Sequence, residues 1–177
     1  MTSPNASRPS LRAARQDDKP LLWAMLGHAA NWDTARAELD VRATPEMAHY
    51  VQGWTPEQGG VVAEVDGDAV GAAWLRHLPP EDPGYGFWAP GFPELSTGIG
   101  ADFRGQGIGR ALIAALAEQT RGHGVPGISL SVEPGNRAAV ALYERTGFRH
   151  TGRIVGDSEV MVMTLSPPDL PRHSGSL

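Results

Sequence analysis

The stretch from 94 to 110, ELSTGIGADFRGQGIGR, decides how this chain is expected to fold. Residues 94–101 are expected to form a strand, and a helix is expected to begin near Gly107. The apolar residues of that helix fill every position of the i, i+3, i+4, i+7, i+8 pattern: Ile108, Ala111, Leu112, Ala115 and Leu116. The pattern predicts a strand that leads through a glycine-rich turn into a helix with one buried face.

The glycine-rich turn predicts an anion site. Gly105, Gly107 and Gly109 let the backbone approach a ligand closely and leave its N–H groups unshielded. Those N–H groups and the helix N-terminus favour a phosphate, to which Arg104 and Arg110 add positive charge, and a pyrophosphate is the natural occupant. The spacing matches neither the P-loop nor the G-x-G-x-x-G dinucleotide fingerprint. On this motif alone, a turn without a ligand is the alternative.

A second strand and a second helix follow the turn. Residues 128–132, ISLSV, alternate apolar and polar side chains, which is typical of a strand. Asn136 is a good N-cap for a helix that runs to residue 146, and Gly147 stands where a helix often ends in a left-handed residue.

These motifs together resemble the GNAT family of acetyl-CoA-dependent N-acetyltransferases. Residues 104–109 match the family's signature R/Q-x-x-G-x-G/A. In the family a strand follows, then an Asn, a Tyr seven residues later and a Gly-Phe pair, and here these are Asn136, Tyr143 and Gly147-Phe148. The resemblance is strong over residues 94–165. It implies an α/β fold with a mixed, mostly antiparallel sheet of six to seven strands, about four helices, and splayed fourth and fifth strands.

The resemblance also implies acetyl-CoA as the co-substrate. The backbone of Thr97, Gly98 and Ile99 would hold the pantetheine arm and polarise the thioester carbonyl. Asn136 would cap its helix and reach the cofactor, with capping alone as the alternative. The backbone of the turn would hold the pyrophosphate through Arg104, Gly105, Gln106, Gly107, Ile108, Gly109 and Arg110.

Two residues are candidates for proton transfer. Tyr143 matches the family's general acid, since the thiolate leaving group must take up a proton. The alternative for Tyr143 is a core aromatic residue. Glu94 is the candidate base, acting through water on the incoming ammonium, and the alternative for Glu94 is a solvated carboxylate at the sheet edge.

One position departs from a subclass of the family. Members that acetylate the N-terminus of a ribosomal protein carry a Glu five residues before the Asn, where this chain has Ser131. Glu133 shares the strand face of Ser131 but lies at the strand end, beside Pro134. The departure argues against that subclass and against a base on this strand.

The first half of the chain gives weaker patterns. A loop at 76–93 holds five prolines and three glycines, and loops of that length are usually functional or mobile. Trp54 and Trp88 are expected in loops near the acceptor, whereas Trp23 and Trp74 are expected in the core. The remaining expected elements are strands at 11–14, 61–65, 69–75, 148–154 and 160–165, and helices at 17–30, 34–39 and 45–53.

Length and composition limit the class of protein. The length of 177 residues predicts one domain, at 11–166. The ends at 1–10 and 167–177 are rich in Pro, Ser and Gly and are expected to form tails. The net charge of −5 argues against a nucleic-acid partner, and no apolar run is long enough for a membrane span. There is no cysteine, and the six histidines lack ligand spacing, so no metal site is expected. A cytoplasmic protein follows, and the family resemblance makes a homodimer plausible.

The predicted reaction is transfer of an acetyl group from acetyl-CoA to a primary amine. Direct attack in a ternary complex is expected, since no Cys or Ser nucleophile motif is present. The acceptor is expected to be a small molecule. The alternatives are a protein N-terminal or lysine acetyltransferase and a non-catalytic acyl-CoA-binding sensor.

Overall fold

The computed structural model describes residues 8–165, which form seven strands and four α-helices. The strands are β1 (Ser10–Ala13), β2 (Gly60–Val65), β3 (Asp68–Arg76), β4 (Glu94–Ile99), β5 (Gly127–Val132), β6 (Arg149–Val155) and β7 (Ser158–Thr164). The helices are α1 (Lys19–Ala30), α2 (Pro45–Gln52), α3 (Ile108–Arg121) and α4 (Arg137–Arg145). All seven strands lie in one sheet, in the order β1-β2-β3-β4-β5-β7-β6.

The sheet opens between β4 and β5. These two strands are parallel and pair only at Glu94 and Ser129, whereas the other neighbours are antiparallel. On its other side β4 pairs with β3 along its whole length. One edge of β4 is therefore open beyond Glu94, which confirms the predicted mixed sheet with splayed fourth and fifth strands.

Helices cover both faces of the sheet. The face under α3 and α4 carries Leu95, Ile128 and Leu130, and the opposite face carries a cluster with Trp54 and Trp74 under α1 and α2. Each fully buried large apolar side chain stabilises the fold by about 1.5–3 kcal/mol. Because side chains alternate along a strand, the neighbours of Leu95 and Ile128, namely Glu94 and Ser129, point toward α1 and α2.

The predicted helix at 34–39 is wrong. Residues 34–36 form a turn and bend, and 37–39 have no regular structure. Side chains bond the backbone of this segment in a non-helical arrangement: Asn31 bonds both the N–H and the C=O of Leu39, and Asp33 accepts from the N–H of Ala35. Short polar side chains compete with a helix in this way.

The other expected elements are present with shifts of one or two residues. Trp74 is fully buried, as expected, but the acceptor-site prediction for Trp54 is wrong, because it too is fully buried, with its indole N–H bonded to the carbonyl of Gly59. The predicted tails at 1–10 and 167–177 lie outside the described residues, apart from 8–10, of which Ser10 begins β1. Within residues 8–165, every helix is too short or too polar to cross a bilayer.

Candidate active site

The glycine-rich turn holds its shape through its backbone angles. Gly105 has φ +73° and Gly107 has φ +81°, both in the left-handed region. A Cβ at either position would have no other atom within 4 Å. Conformation rather than crowding therefore requires glycine here, and the space beside the turn is open.

The amides of the turn are not used inside the described part of the chain. Among the hydrogen bonds of residues 8–165, none is donated by a backbone N–H from Gly105 to Arg110. Gly107 caps α3 without a side-chain acceptor, and the first bond of the helix runs from the N–H of Ala111 to the carbonyl of Gly107 at 3.1 Å. The side chains of Arg104 and Gln106 bond nearby carbonyls, of Ile99 and Asp102. A row of free donors therefore lies at the start of α3.

Two glycines near the turn are explained by packing. A Cβ at Gly98 would overlap the backbone of Met25, where α1 crosses β4. A Cβ at Gly109 would lie 2.9 Å from the side chain of Leu142 and 3.1 Å from that of Ile99. These glycines let α1 and α4 approach the strand and the helix that border the open edge.

Tyr143 lies on α4 at the margin of the core. Its half-buried ring packs edge-on against Phe148, with centroids 5.8 Å apart. Burial raises the pKa of the Tyr143 hydroxyl to about 12, so the phenol stays protonated near neutral pH. The hydroxyl has no hydrogen-bond partner among residues 8–165. Its role as the general acid stays a prediction.

Asn136 caps α4 as predicted. Its side-chain oxygen accepts from the N–H of Ala139 at 3.2 Å. The predicted contact with the cofactor stays a prediction.

Glu94 is buried, so the alternative of a solvated edge carboxylate is wrong. Its residue exposure is 2%. One carboxylate oxygen accepts from the Tyr50 hydroxyl at 3.0 Å and from the N–H of Gly86 at 2.9 Å, and the other accepts from the N–H of Gly84 at 2.9 Å. Burial raises the pKa of the Glu94 carboxyl, and the three donated bonds partly oppose that rise.

The loop at 77–93 is tied down at both ends, which the sequence did not indicate. Glu94 holds it near the sheet, and Gly86 lies so close to β5 that a Cβ there would be 2.6 Å from the carbonyl carbon of Leu130. At the outer end, Arg153 donates to the carbonyls of Phe87 and Trp88, with its guanidinium 4.5 Å from the centroid of the Trp88 ring. The loop therefore lies across β5.

Other polar features lie outside this arrangement. A cavity of about 610 Å³ is bordered by α1 and residues 38–42, and none of the predicted site residues lines it. Glu133, the other carboxylate near the end of β5, pairs with Arg36 at 2.6 Å. Residues 8–165 contain no cluster of three or more side chains suited to a metal ion.

Comparison with known proteins identifies the family of this chain. The model of the acetyltransferase (GNAT) family matches residues 21–148. The L-2,4-diaminobutyric acid acetyltransferase of Nocardia farcinica is 34% identical in an alignment of 155 residues that covers 83% of this chain and 75% of that protein. The mycothiol acetyltransferase of Saccharomonospora viridis is 29% identical over 75% of this chain, but the match spans only 42% of that protein.

Solved structures share the fold. SsHAT superposes with a TM-score of 0.68 at 21% identity, over 88% of this chain and 98% of that one. The protein yncA of Salmonella typhimurium, solved with its cofactor acetyl-CoA, has a TM-score of 0.64 at 22% identity, over 94% of this chain and 99% of that one. The family match over residues 21–148, the splayed strands and the glycine-rich turn together show that this chain belongs to the GNAT family of acetyltransferases.

Proposed function

We propose that the protein transfers the acetyl group of acetyl-CoA to a primary amine of a small molecule. The observation that carries this proposal is the open edge of β4 beside the row of free amides at 105–110. A strand edge and a helix start with unused donors need polar partners. A pantetheine arm and a pyrophosphate supply them in one molecule.

The pyrophosphate would bond the amides of Gly105 to Arg110. Each charge-assisted hydrogen bond contributes about 1.5–3 kcal/mol, and the dipole of α3 adds about 0.3–1 kcal/mol. Arg104 and Arg110 would supply positive charge. The backbone of Thr97, Gly98 and Ile99 would bond the pantetheine arm and polarise the thioester carbonyl, and Asn136 would reach the cofactor from the start of α4.

Proton transfer would use Glu94 and Tyr143. A carboxylate offers about four acceptor positions, and Glu94 uses three, so one is left for a water. Through that water Glu94 would take a proton from the ammonium, and the freed amine would attack the acyl carbon directly. As the C–N bond forms and the C–S bond breaks, the thiolate would take the proton of the Tyr143 hydroxyl. The nitrogen would give its second proton to the Tyr143 phenolate through water, which restores the phenol.

The acceptor proposed here is small. The loop at 77–93 lies across β5, on the side of the sheet where an extended peptide would need an open groove. By name, the relative in Nocardia farcinica acts on diaminobutyric acid, and one in Pseudomonas aeruginosa, 36% identical over 40% of this chain, acts on methionine sulfoximine and methionine sulfone. An amino acid or a close analogue is the acceptor class these observations support.

Location and assembly stay predictions. We expect the protein to act in the cytoplasm without a nucleic-acid or membrane partner. A homodimer is the assembly that the family resemblance makes plausible.

The proposal is tested by CoA release. The protein is incubated with acetyl-CoA and with a panel of amino acids, diamino acids, polyamines and lysine-containing peptides, and free thiol is measured. We expect thiol release with a small amine and none with peptides. Release with peptides alone would support a protein acetyltransferase. A rise of Tm with CoA and no release with any acceptor would support a sensor instead.

A further inference from the structure

Ser129 holds a buried hydroxyl without a partner. Its residue exposure is 0%, and its Oγ has no hydrogen-bond partner in the described chain. Other shielded hydroxyls are bonded: those of Thr97, Thr120 and Thr146 each donate to a backbone carbonyl. Because an unpaired buried polar group is destabilising, the unbonded Ser129 hydroxyl requires an explanation.

The hydroxyl lies beside the candidate base. Ser129 is the residue with which Glu94 pairs across β4 and β5, and its N–H donates to the carbonyl of Pro93 at 3.0 Å. Paired residues of neighbouring strands point to the same face and lie about 4.8 Å apart. Glu94 has one acceptor position left, and a serine hydroxyl both donates and accepts.

The pair also stands at the closed end of the opening between the strands. Under the proposed function, the cofactor runs from the amides at 105–110 along the backbone of 97–99. Its thioester end therefore approaches the last paired position, Glu94 and Ser129. The acceptor's nitrogen must reach the same place.

We propose that Ser129 is a positioning residue that holds the water through which the acceptor's proton reaches Glu94. This inference rests on the proposed function. The ammonium gives one proton to the water as the water gives one to the Glu94 carboxylate, so a neutral amine, a carboxylic acid and an unchanged water result. No electrons are exchanged with any other reactant.

Ser129→Ala tests the inference because the two possible roles predict different results. Loss of an unbonded buried hydroxyl should not lower Tm, whereas loss of a residue that positions the water should lower kcat. We expect kcat to fall about 10-fold, a part of the roughly 10²–10⁴-fold that a general base contributes. The acid limb of the pH–rate profile should move to higher pH, since the ionised Glu94 loses solvation while Tyr50 and Arg76, which also face it, are unchanged. CoA affinity should stay the same, and Tm should stay the same or rise.

Thr120→Val is the matched control. It removes a buried hydroxyl that is bonded, to the carbonyl of Leu116, near the far end of α3. We expect it to lower Tm and to leave kcat and the pH–rate profile unchanged.

The outcomes separate the two proposals. If the wild-type protein turns over while Ser129→Ala keeps the wild-type kcat and pH profile, the role of Ser129 is refuted and the proposed function stands. A variant that loses Tm or CoA affinity along with kcat refutes the positioning role as well. If the wild-type protein releases no thiol with any acceptor, the proposed function fails and the inference falls with it.

Discussion

Two sets of loop amides border the opening between β4 and β5, and they are used in opposite ways. The N–H groups of Gly84 and Gly86 point inward and bond the carboxylate of Glu94. Those of Gly105 to Arg110 bond no acceptor in residues 8–165. Both are donors arranged to hold an anion. The first set, here the inner set, bonds an anion of the chain itself. The second, the outer set, is arranged for an anion that a ligand brings.

The bonds between the inner set of amides and Glu94 should have the largest effect, which is on the stability of the fold. Glu94→Ala would leave two amides and the Tyr50 hydroxyl buried without an acceptor. We expect the free energy of unfolding to fall by about 3 kcal/mol, measured by urea denaturation. Glu118→Ala is the control, because within residues 8–165 that exposed carboxylate pairs only with its helix neighbour Arg121 and should change stability by less than about 1 kcal/mol. Equal stability of the two variants would show that the bonds to Glu94 do not stabilise the fold.

CoA binding at the outer set of amides should be weakened by a negative charge placed beside them. Gly107→Asp would place a carboxylate beside the free amides, and Gly107→Asn is its neutral match, since both side chains tolerate the left-handed backbone. We expect Asp to weaken CoA binding about 10- to 100-fold more than Asn, because a fixed negative charge competes with the phosphates. Calorimetric titration measures both. Equal CoA affinity of the two variants would show that the amides of 105–110 do not bind the phosphates of CoA.

A change at Tyr143 should affect the chemical step and leave CoA binding unchanged. Tyr143→Phe should lower kcat about 10-fold and leave CoA affinity unchanged, because the phenol would act only on the leaving thiolate. A general acid must be protonated to act, and activity is lost as pH rises through its pKa. With that pKa at about 12, Tyr143 should cause no loss of activity up to about pH 10. An unchanged kcat in the variant would exclude Tyr143 from the mechanism.

The smallest effect is expected at the outer end of the 77–93 loop. Arg153→Ala removes the bonds to the carbonyls of Phe87 and Trp88 and the contact with the Trp88 ring. We expect the KM for the acceptor to rise a few-fold, since exposed ionic and cation–π contacts contribute about 1 kcal/mol or less. CoA affinity should not change. Steady-state kinetics with Arg145→Ala, an exposed arginine on α4, as the control would show whether the loop borders the acceptor.

Much of the second half of the chain was predictable. Glycine spacing, strand alternation and a capping Asn are local signals, and the elements from β4 to β7 follow them within one or two residues. The cap of α4 by Asn136 was predicted to the residue. Local signals were sufficient because each of these features depends on neighbours a few positions away.

The features that were missed depend on distant partners. Glu94 bonds Tyr50, 44 positions away, and loop amides 8 and 10 positions away, which no pattern indicated. Trp54 was predicted at the acceptor because its segment is a loop, yet tertiary packing buries it completely. The predicted helix at 34–39 is wrong for a local reason instead, because the nearby side chains of Asn31 and Asp33 bond the backbone there.

The amides of 105–110 are free for a phosphate, whereas those of Gly84 and Gly86 are already bonded to Glu94. Amide resonances followed by ¹⁵N NMR during a titration with CoA test this difference most directly. We expect large, saturable shifts for Gly105 to Arg110 and little change at Gly84 and Gly86. Saturable binding of CoA that leaves the amides of 105–110 unmoved would contradict it.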